Sequence, residues 1–218
     1  MEESPGEQSQ KNEHDVAAKH AEVTAYVAAH REELEQGQRV LLFLDECFLH
    51  WGDVCGYGWG KRNQRLTLDM HNPKARQTFY GALDARTGEM HLMPYPNAQS
   101  DNTTDFLLEL CARYPNAKLT ICWDNARWHK GAEVAAFLEH VNGGHNPEEW
   151  RITCINFAPH DPTQNPIEEV WHQGKAAIQK LRLVAQKFQQ VIDAFEEVLE
   201  RKCFVFPNRQ RYGILQII

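Results

Sequence analysis

RVLLFLDE, residues 39–46, is a nearly continuous apolar run closed by two acids. A run of this kind predicts a strand buried on both faces, with its polar end at the carboxyl edge of a sheet. Two more runs share the character: AKLTICWDN at 117–125, also ending in an acid, and RITCINFAP at 151–159. Between and around them the pattern changes period. SDNTTDFLLELCARY (100–114) predicts a helix with a Ser, Asp or Asn cap, and HKGAEVAAFLEHV (129–141) a second. NPIEEVWHQGKAAIQKL (165–181) and AQKFQQVIDAFEEVLERK (185–202) predict two further helices. Shorter strands are expected at 52–59, 65–70 and 76–84, and ALDARTGEMHLMPY reads as a hairpin turning near Arg86-Thr87-Gly88. Strands first, then alternating helix and strand, implies an α/β fold with a mixed sheet flanked by helices. Sites in such sheets gather at the carboxyl ends of central strands. Asp45 and Asp124 stand there.

The chain has 218 residues, 42% hydrophobic and 24% charged, which fits one globular domain with an extension. No apolar run reaches the roughly 18–20 residues of a membrane span, and the acidic N-terminus lacks a signal-like apolar segment. A cytoplasmic protein with no membrane partner is expected. The formal charge of −7 is uneven: residues 1–36 hold three Lys/Arg against nine Asp/Glu, whereas residues 173–218 hold eight against four. Phosphate binding needs a local basic surface, so nucleic acid stays open as a partner. Residues 1–12 read as a disordered tail, and 13–36 as an Ala/Glu-rich helix ending at Gly37, whose sparse apolar positions suit loose packing or service to a partner. The division is thus 1–38, an acidic tail and helix, and 39–218, the main domain with its C-terminal helices. The six cysteines form no CxxC pair and read as reduced, with Cys47, Cys122 and Cys154 serving as small core residues.

Asp45, Asp124 and Glu168 are three carboxylates that the sheet order can bring together. Oxygen-only clusters suit hard cations such as Mg²⁺ or Mn²⁺. Each has a plain alternative. A strand-end Asp caps turns. Glu168 is the third helical residue if Asn165 caps and Pro166 begins the helix, which makes it the Glu of a capping box. By helical spacing Ile167, Val170, Trp171, Gly174 and Ile178 form one apolar face, with Glu168, His172 and Lys175 on a polar one. No G-x-S-x-G motif, Gly-rich phosphate loop or H-x-x-x-H zinc helix occurs.

Taken together, LLFLDECFLHW, GYGWGKRN, TICWDNARWHKG and FAPHDPTQNPIEEVW resemble the catalytic domain of mariner-like insertion-sequence transposases, within the DDE superfamily endonucleases. The resemblance spans about residues 39–185. It implies an RNase H-like, retroviral-integrase type fold with a mixed five-stranded sheet flanked by helices. It implies that Asp45, Asp124 and Glu168 are the catalytic metal ligands for two Mg²⁺ or Mn²⁺ ions. Asn125 and His129 match family positions at the rim of the site, where they order the turn or meet the scissile phosphate. Trp59 and Lys61 match a loop motif in which the aromatic supports DNA or a partner subunit, or simply packs. His172 and Lys175 are supporting candidates, and Trp171 is expected in the core. The implied partners are double-stranded DNA, as element ends and target, and a second copy of the chain in an active homodimer. The implied activity is metal-dependent cleavage at element ends followed by strand transfer from a 3′-hydroxyl, in a prokaryotic cytoplasm and at the nucleoid when DNA-bound.

Three features depart from the family. Asp124 and Glu168 are 44 positions apart, longer than usual, and the excess fits NGGHNPEEW (142–150), a surface insertion. Thr163 stands where an acid is common. Only some 38 residues precede the first strand, too few for the family's helix-turn-helix pair, so DNA-end recognition is expected to be encoded elsewhere, for instance upstream. The competing expectations are a non-catalytic regulator or remnant that binds DNA or transposase subunits, and a hydrolysis-only RNase H-like nuclease.

Overall fold

The computed structural model describes residues 5–55, 74–159, 161–181, 184–200, 203–205 and 212–214. β1 (Arg39–His50) is the central strand of a five-stranded sheet that also contains β2 (Arg76–Asp84), β3 (Met90–Tyr95), β4 (Lys118–Trp123) and β5 (Ile152–Asn156). The strand order is β3-β2-β1-β4-β5. β1 pairs antiparallel with β2 and β2 with β3, while β1–β4 and β4–β5 are parallel. The expected mixed sheet is therefore present. The helices are α1 (Pro5–Ala29), α2 (Arg31–Glu35), α3 (Ser100–Arg113), α4 (Ala132–Asn142), α5 (Ile167–Ile178) and α6 (Phe188–Glu200).

The sheet is buried on both faces because β1 is apolar at both parities. Leu41, Phe43, Cys47 and Leu49 join one core with residues of α1, α5 and α6. Leu42 and Leu44 join a second core with Phe106, Leu107 and Leu110 of α3 and Val134 of α4. The expected apolar face of α5 is realised residue for residue: Ile167, Val170, Trp171, Gly174 and Ile178 are all buried. At the β2–β3 turn, Asp84 Oδ1 accepts from the backbone N–H groups of Arg86 and Thr87, and Gly88 takes a φ of 77° that favours glycine.

Several local expectations are corrected. α1 starts at Pro5, inside the stretch expected to be disordered, and it does not pack loosely. Val23 and Val27 are buried, and the Tyr26 hydroxyl meets Thr120 of β4 at 3.0 Å and accepts from Arg39 at 2.8 Å. Two buried valines and one bonded tyrosine suffice to hold the helix to the sheet. α3 begins after Gln99, with no side-chain cap. Residues 51–54 form a 3₁₀ turn rather than a strand, with Asp53 Oδ2 accepting the His50 N–H at its start. α4 starts later than expected, behind a 3₁₀ turn at Arg127–Lys130. Trp59, Lys61 and the strand expected at 65–70 lie outside the described residues. Among the described residues, no helix is long and apolar enough to cross a membrane.

α6 packs against α5 and also directly against the sheet. Phe195 stacks against Trp171 (centroids 6.2 Å apart, 12° between planes) and lies 5.3 Å from the Phe79 ring. Phe195→Ala should cost about 3–5 kcal/mol, the usual range for a large aromatic truncated in a packed core. Urea denaturation measures it. A loss under about 1 kcal/mol would mean that α6 is not part of the cooperative core.

Candidate functional site

β1 does not end at its acids, as the sequence suggests. It continues to His50, paired with β2 all the way from Leu42↔Asp84 to His50↔Arg76. Its parallel pairing with β4 stops at Phe43↔Cys122, and β4 itself ends at Trp123. Two residues further on in the same register, Asp45 falls beside Asp124. Parallel partners in register point to the same face, here that of Phe43 and Cys122. α5 packs against this face, touching β1 and β2, and its first turn carries Glu168.

Asp45, Asp124 and Glu168 consequently line one cleft of about 380 Å³, together with Asn125, Phe157, Asp161 and Asn165. Asparagines and a glutamine tie its walls. Asn125 Nδ2 donates to the Phe157 carbonyl (2.7 Å), joining the ends of β4 and β5. Asn165 Nδ2 donates to the Leu44 carbonyl (3.1 Å), anchoring the start of α5 to β1 where β4 has left it. The buried Gln164 side chain clamps the loop through the Ala158 N–H and carbonyl and the Asp161 carbonyl. Thr163, standing where an acid is common in the family, donates its hydroxyl to Asp161 Oδ1 at 2.6 Å.

The capping-box alternative for Glu168 is not realised. The Asn165 N–H, which that box would give to Glu168, goes to the Pro162 carbonyl (3.0 Å), while Asn165 Oδ1 accepts the Ile167 N–H at 3.4 Å. The Glu168 carboxylate is half-buried on the cleft wall. Asn165 thus keeps the accepting half of a cap, and the reciprocal Glu168 half is lost because the preceding loop is itself a 3₁₀ turn, Pro162–Gln164.

The three carboxylates have unlike surroundings. The Asp45 carboxyl is raised well above the usual range, first by burial and then by the charges of Glu46, Glu168 and Asp124. Trp171 Nε1 donates to its Oδ2 at 3.1 Å. Glu168 is raised mainly by burial, with His172 and Lys175 opposing. Lys175 also reaches Asp53 Oδ2 at 3.5 Å, and His172 is exposed. Asp124 is lowered: burial pushes it up, but the His129 hydrogen bond, the Ala126 N–H and the charges of His129 and Lys130 outweigh it. Its side chain is 58% exposed. Among the described residues no three His, Cys, Asp or Glu side chains converge as a ready-made metal cluster. The donor set is nonetheless all oxygen, and a cation would relieve the repulsion that raises Asp45, so the residues fit a hard divalent ion.

His129 is not at the rim. It is buried under the turn, with Nε2 3.0 Å from Glu46 Oε1 and Nδ1 3.1 Å from Asp124 Oδ1. Trp123 stacks on its ring at 4.3 Å, and Trp128 Nε1 donates to the other oxygen of Glu46 at 2.9 Å. Glu46, on the face opposite Asp45, thus sits at the foot of a buried chain ending at Asp124. Sequence reading assigned Glu46 no such role. The DE pair at the end of an apolar strand was its only signal, because a carboxylate on the fully covered face of a sheet requires a buried partner. Asp161 and the Trp171 N–H were also missed.

His129 sets a pH dependence. Burial lowers its pKa, but hydrogen bonds and charge from Asp124 and Glu46 prevail and lift it to about 9. A group raised on folding contributes stability that is complete below its unfolded value of about 6.5 and is lost as pH climbs to about 9. With chelator present, the stability gap between the parent and His129→Gln should be widest near pH 6 and shrink steadily to pH 9.5. Denaturant titrations across that range check it, and a gap independent of pH would refute a charged His129.

The DDE superfamily endonuclease family matches residues 40–191, and no curated protein matches the sequence. Among solved structures, the chain is similar to the Mos1 transposase paired-end complex with left transposon end, with TM-score 0.58 and 13% identity over 90% of this chain and 57% of that one. It is similar to the Mos1 transposase catalytic domain with raltegravir and Mg, with TM-score 0.57 and 13% identity over 92% of each chain. It also resembles a chain of the simian T-cell lymphotropic virus intasome, with TM-score 0.50 and 11% identity over 79% of this chain and 53% of that one. The chain thus spans little more than half of the longer transposase chain and nearly all of the isolated catalytic domain. It belongs to the DDE superfamily endonucleases, and its RNase H-like fold is that of the mariner transposase catalytic domain.

Proposed function

We propose that residues 39–218 are the catalytic domain of a DNA transposase, cleaving DNA at element ends and joining the freed 3′-hydroxyl to target DNA. The observation that carries this reading is the single cleft shared by Asp45, Asp124 and Glu168, inside the segment that matches the endonuclease family. The three acids hold two Mg²⁺ or Mn²⁺ ions. The Mg in the Mos1 catalytic-domain structure and the transposon end in the paired-end complex support a divalent cation and DNA here. Bound there, the ions supply Lewis acidity at phosphorus and make an attacking hydroxyl easier to deprotonate.

The chain's own groups do the holding. Asp45 and Asp124 sit side by side across the β1–β4 gap, and Glu168 faces them from α5. Asn125, by tying β4 to β5, keeps the floor of the cleft fixed. His129, behind Asp124, orders the turn. Lys175, two turns along α5 from Glu168, offers positive charge to the DNA backbone, and the exposed His172, one turn along, offers a ring donor. With Trp59 and Lys61 they are the DNA-contacting candidates. The active unit is a homodimer in a prokaryotic cytoplasm, with end-sequence recognition supplied by a helix-turn-helix region outside residues 39–218.

Glu168→Gln tests the chemistry apart from the fold. The side chain makes no cap, so the melting temperature should stay near the parent's. Cleavage of duplexes carrying the element ends should fall at least about 10³-fold, corresponding to about 4 kcal/mol of barrier. Glu169→Gln, about 100° around the helix, should change neither. Strand cleavage and joining are measured in Mg²⁺ and in Mn²⁺. Full activity in Glu168→Gln would sink the three-acid site. Cleavage without joining to target DNA would mark a hydrolysis-only nuclease.

A further inference from the structure

Trp171 is buried on the apolar face of α5, where the sequence pattern alone makes it a core residue. Its polar edge does more than fill space. The indole Nε1 donates to Asp45 Oδ2 at 3.1 Å, across 126 positions of sequence. Gly81 of β2 is the residue directly opposite Asp45 in the antiparallel ladder. A Cβ at Gly81 would overlap the Trp171 ring atoms Cη2 and Cζ2 and the Met90 methyl. Glycine is disfavoured inside a strand and marks close approach by another group. Here that group is the indole, which enters the slot beside the very residue it bonds. On its other side the ring stacks with Phe195, so its plane, and with it the direction of the N–H, is held.

We propose that Trp171 is a positioning residue for Asp45: its indole N–H, seated in the slot left by Gly81, fixes one carboxylate oxygen so that the other is presented to the cleft. The donor type suits the task. A lysine or arginine would hold the carboxylate too, but its charge would compete with a bound cation. The indole is neutral, has one donor and accepts nothing. It restricts the carboxylate's rotation without neutralising it, as groups behind metal ligands commonly do. The proposal rests on Asp45 being a metal ligand.

Trp171→Phe keeps an aromatic ring in the slot and removes the N–H. Its Mg²⁺ affinity, measured by calorimetry, should fall about 10–100-fold. Its melting temperature in chelator should move little. Unchanged affinity in a folded Trp171→Phe protein overturns the proposal and leaves the metal reading intact. A parent chain that binds no Mg²⁺ overturns both. A measurement on the parent guards against a variant that fails to fold. In ¹⁵N-tryptophan-labelled protein, the Trp171 indole N–H resonance should shift as Mg²⁺ is added, and Asp45→Asn should abolish the shift. An indole resonance unmoved at saturating Mg²⁺ overturns the proposal, because a donor to a ligating carboxylate must sense the cation.

Discussion

β1 is hydrogen-bonded to β2 along its length to His50, but to β4 only as far as Phe43. That mismatch opens a gap on one side of β1 at the level of Asp45, and the other parts of the cleft are arranged around it. Asp124 is the first residue past β4. The Phe157 N–H still reaches the Trp123 carbonyl at 2.8 Å, so β5 carries the chain past the gap before it turns into the loop that delivers α5. Asn165 then takes the Leu44 carbonyl that β4 no longer covers. A backbone acceptor in the interior must be paired, and the pairing used here also sets where Glu168 begins its helix.

The acids of the cleft are alike in chemistry and unlike in support. Asp45 is held by a neutral indole, Asp124 by an imidazolium that rests on a second buried carboxylate, and Glu168 by the charges of His172 and Lys175 at longer range. The result is a graded electrostatic site: one carboxyl raised strongly, one raised, one lowered. Such grading follows from burial and partner identity, not from residue type. It also explains why Glu46 and Asp45, neighbours in the chain, have separate duties. Strand alternation sends one into the cleft and the other into a dry pocket, where Trp128 and His129 satisfy both of its oxygens.

Away from the cleft, Arg39 holds the opposite end of β1. It is 2% exposed, donates to Glu33 and to the Tyr26 hydroxyl, and lies over the Tyr26 ring at 5.7 Å. Through it the C-terminal part of α1 and α2 are bound to the sheet. A buried guanidinium is tolerated because its donors are matched and its stem lies among apolar groups.

The sequence by itself determined the elements and the candidate acids. The apolar runs at 39, 117 and 151 became β1, β4 and β5, the hairpin turned at Gly88, and the apolar face of α5 was legible by its 3.6-residue spacing. These are local properties, written by hydrophobic periodicity in adjacent residues. The end of β1 was misread because an acid in a strand looks like a stop, and only the antiparallel partner β2 reveals that the ladder continues. Glu168 read equally well as a helix cap, and only the competing Pro162 carbonyl excluded that role. The Trp171–Asp45 bond and the Glu46–His129 pair join residues 126 and 83 positions apart. Partnerships over such distances depend on strand register and on which elements the fold packs together, and no local pattern in the chain records either.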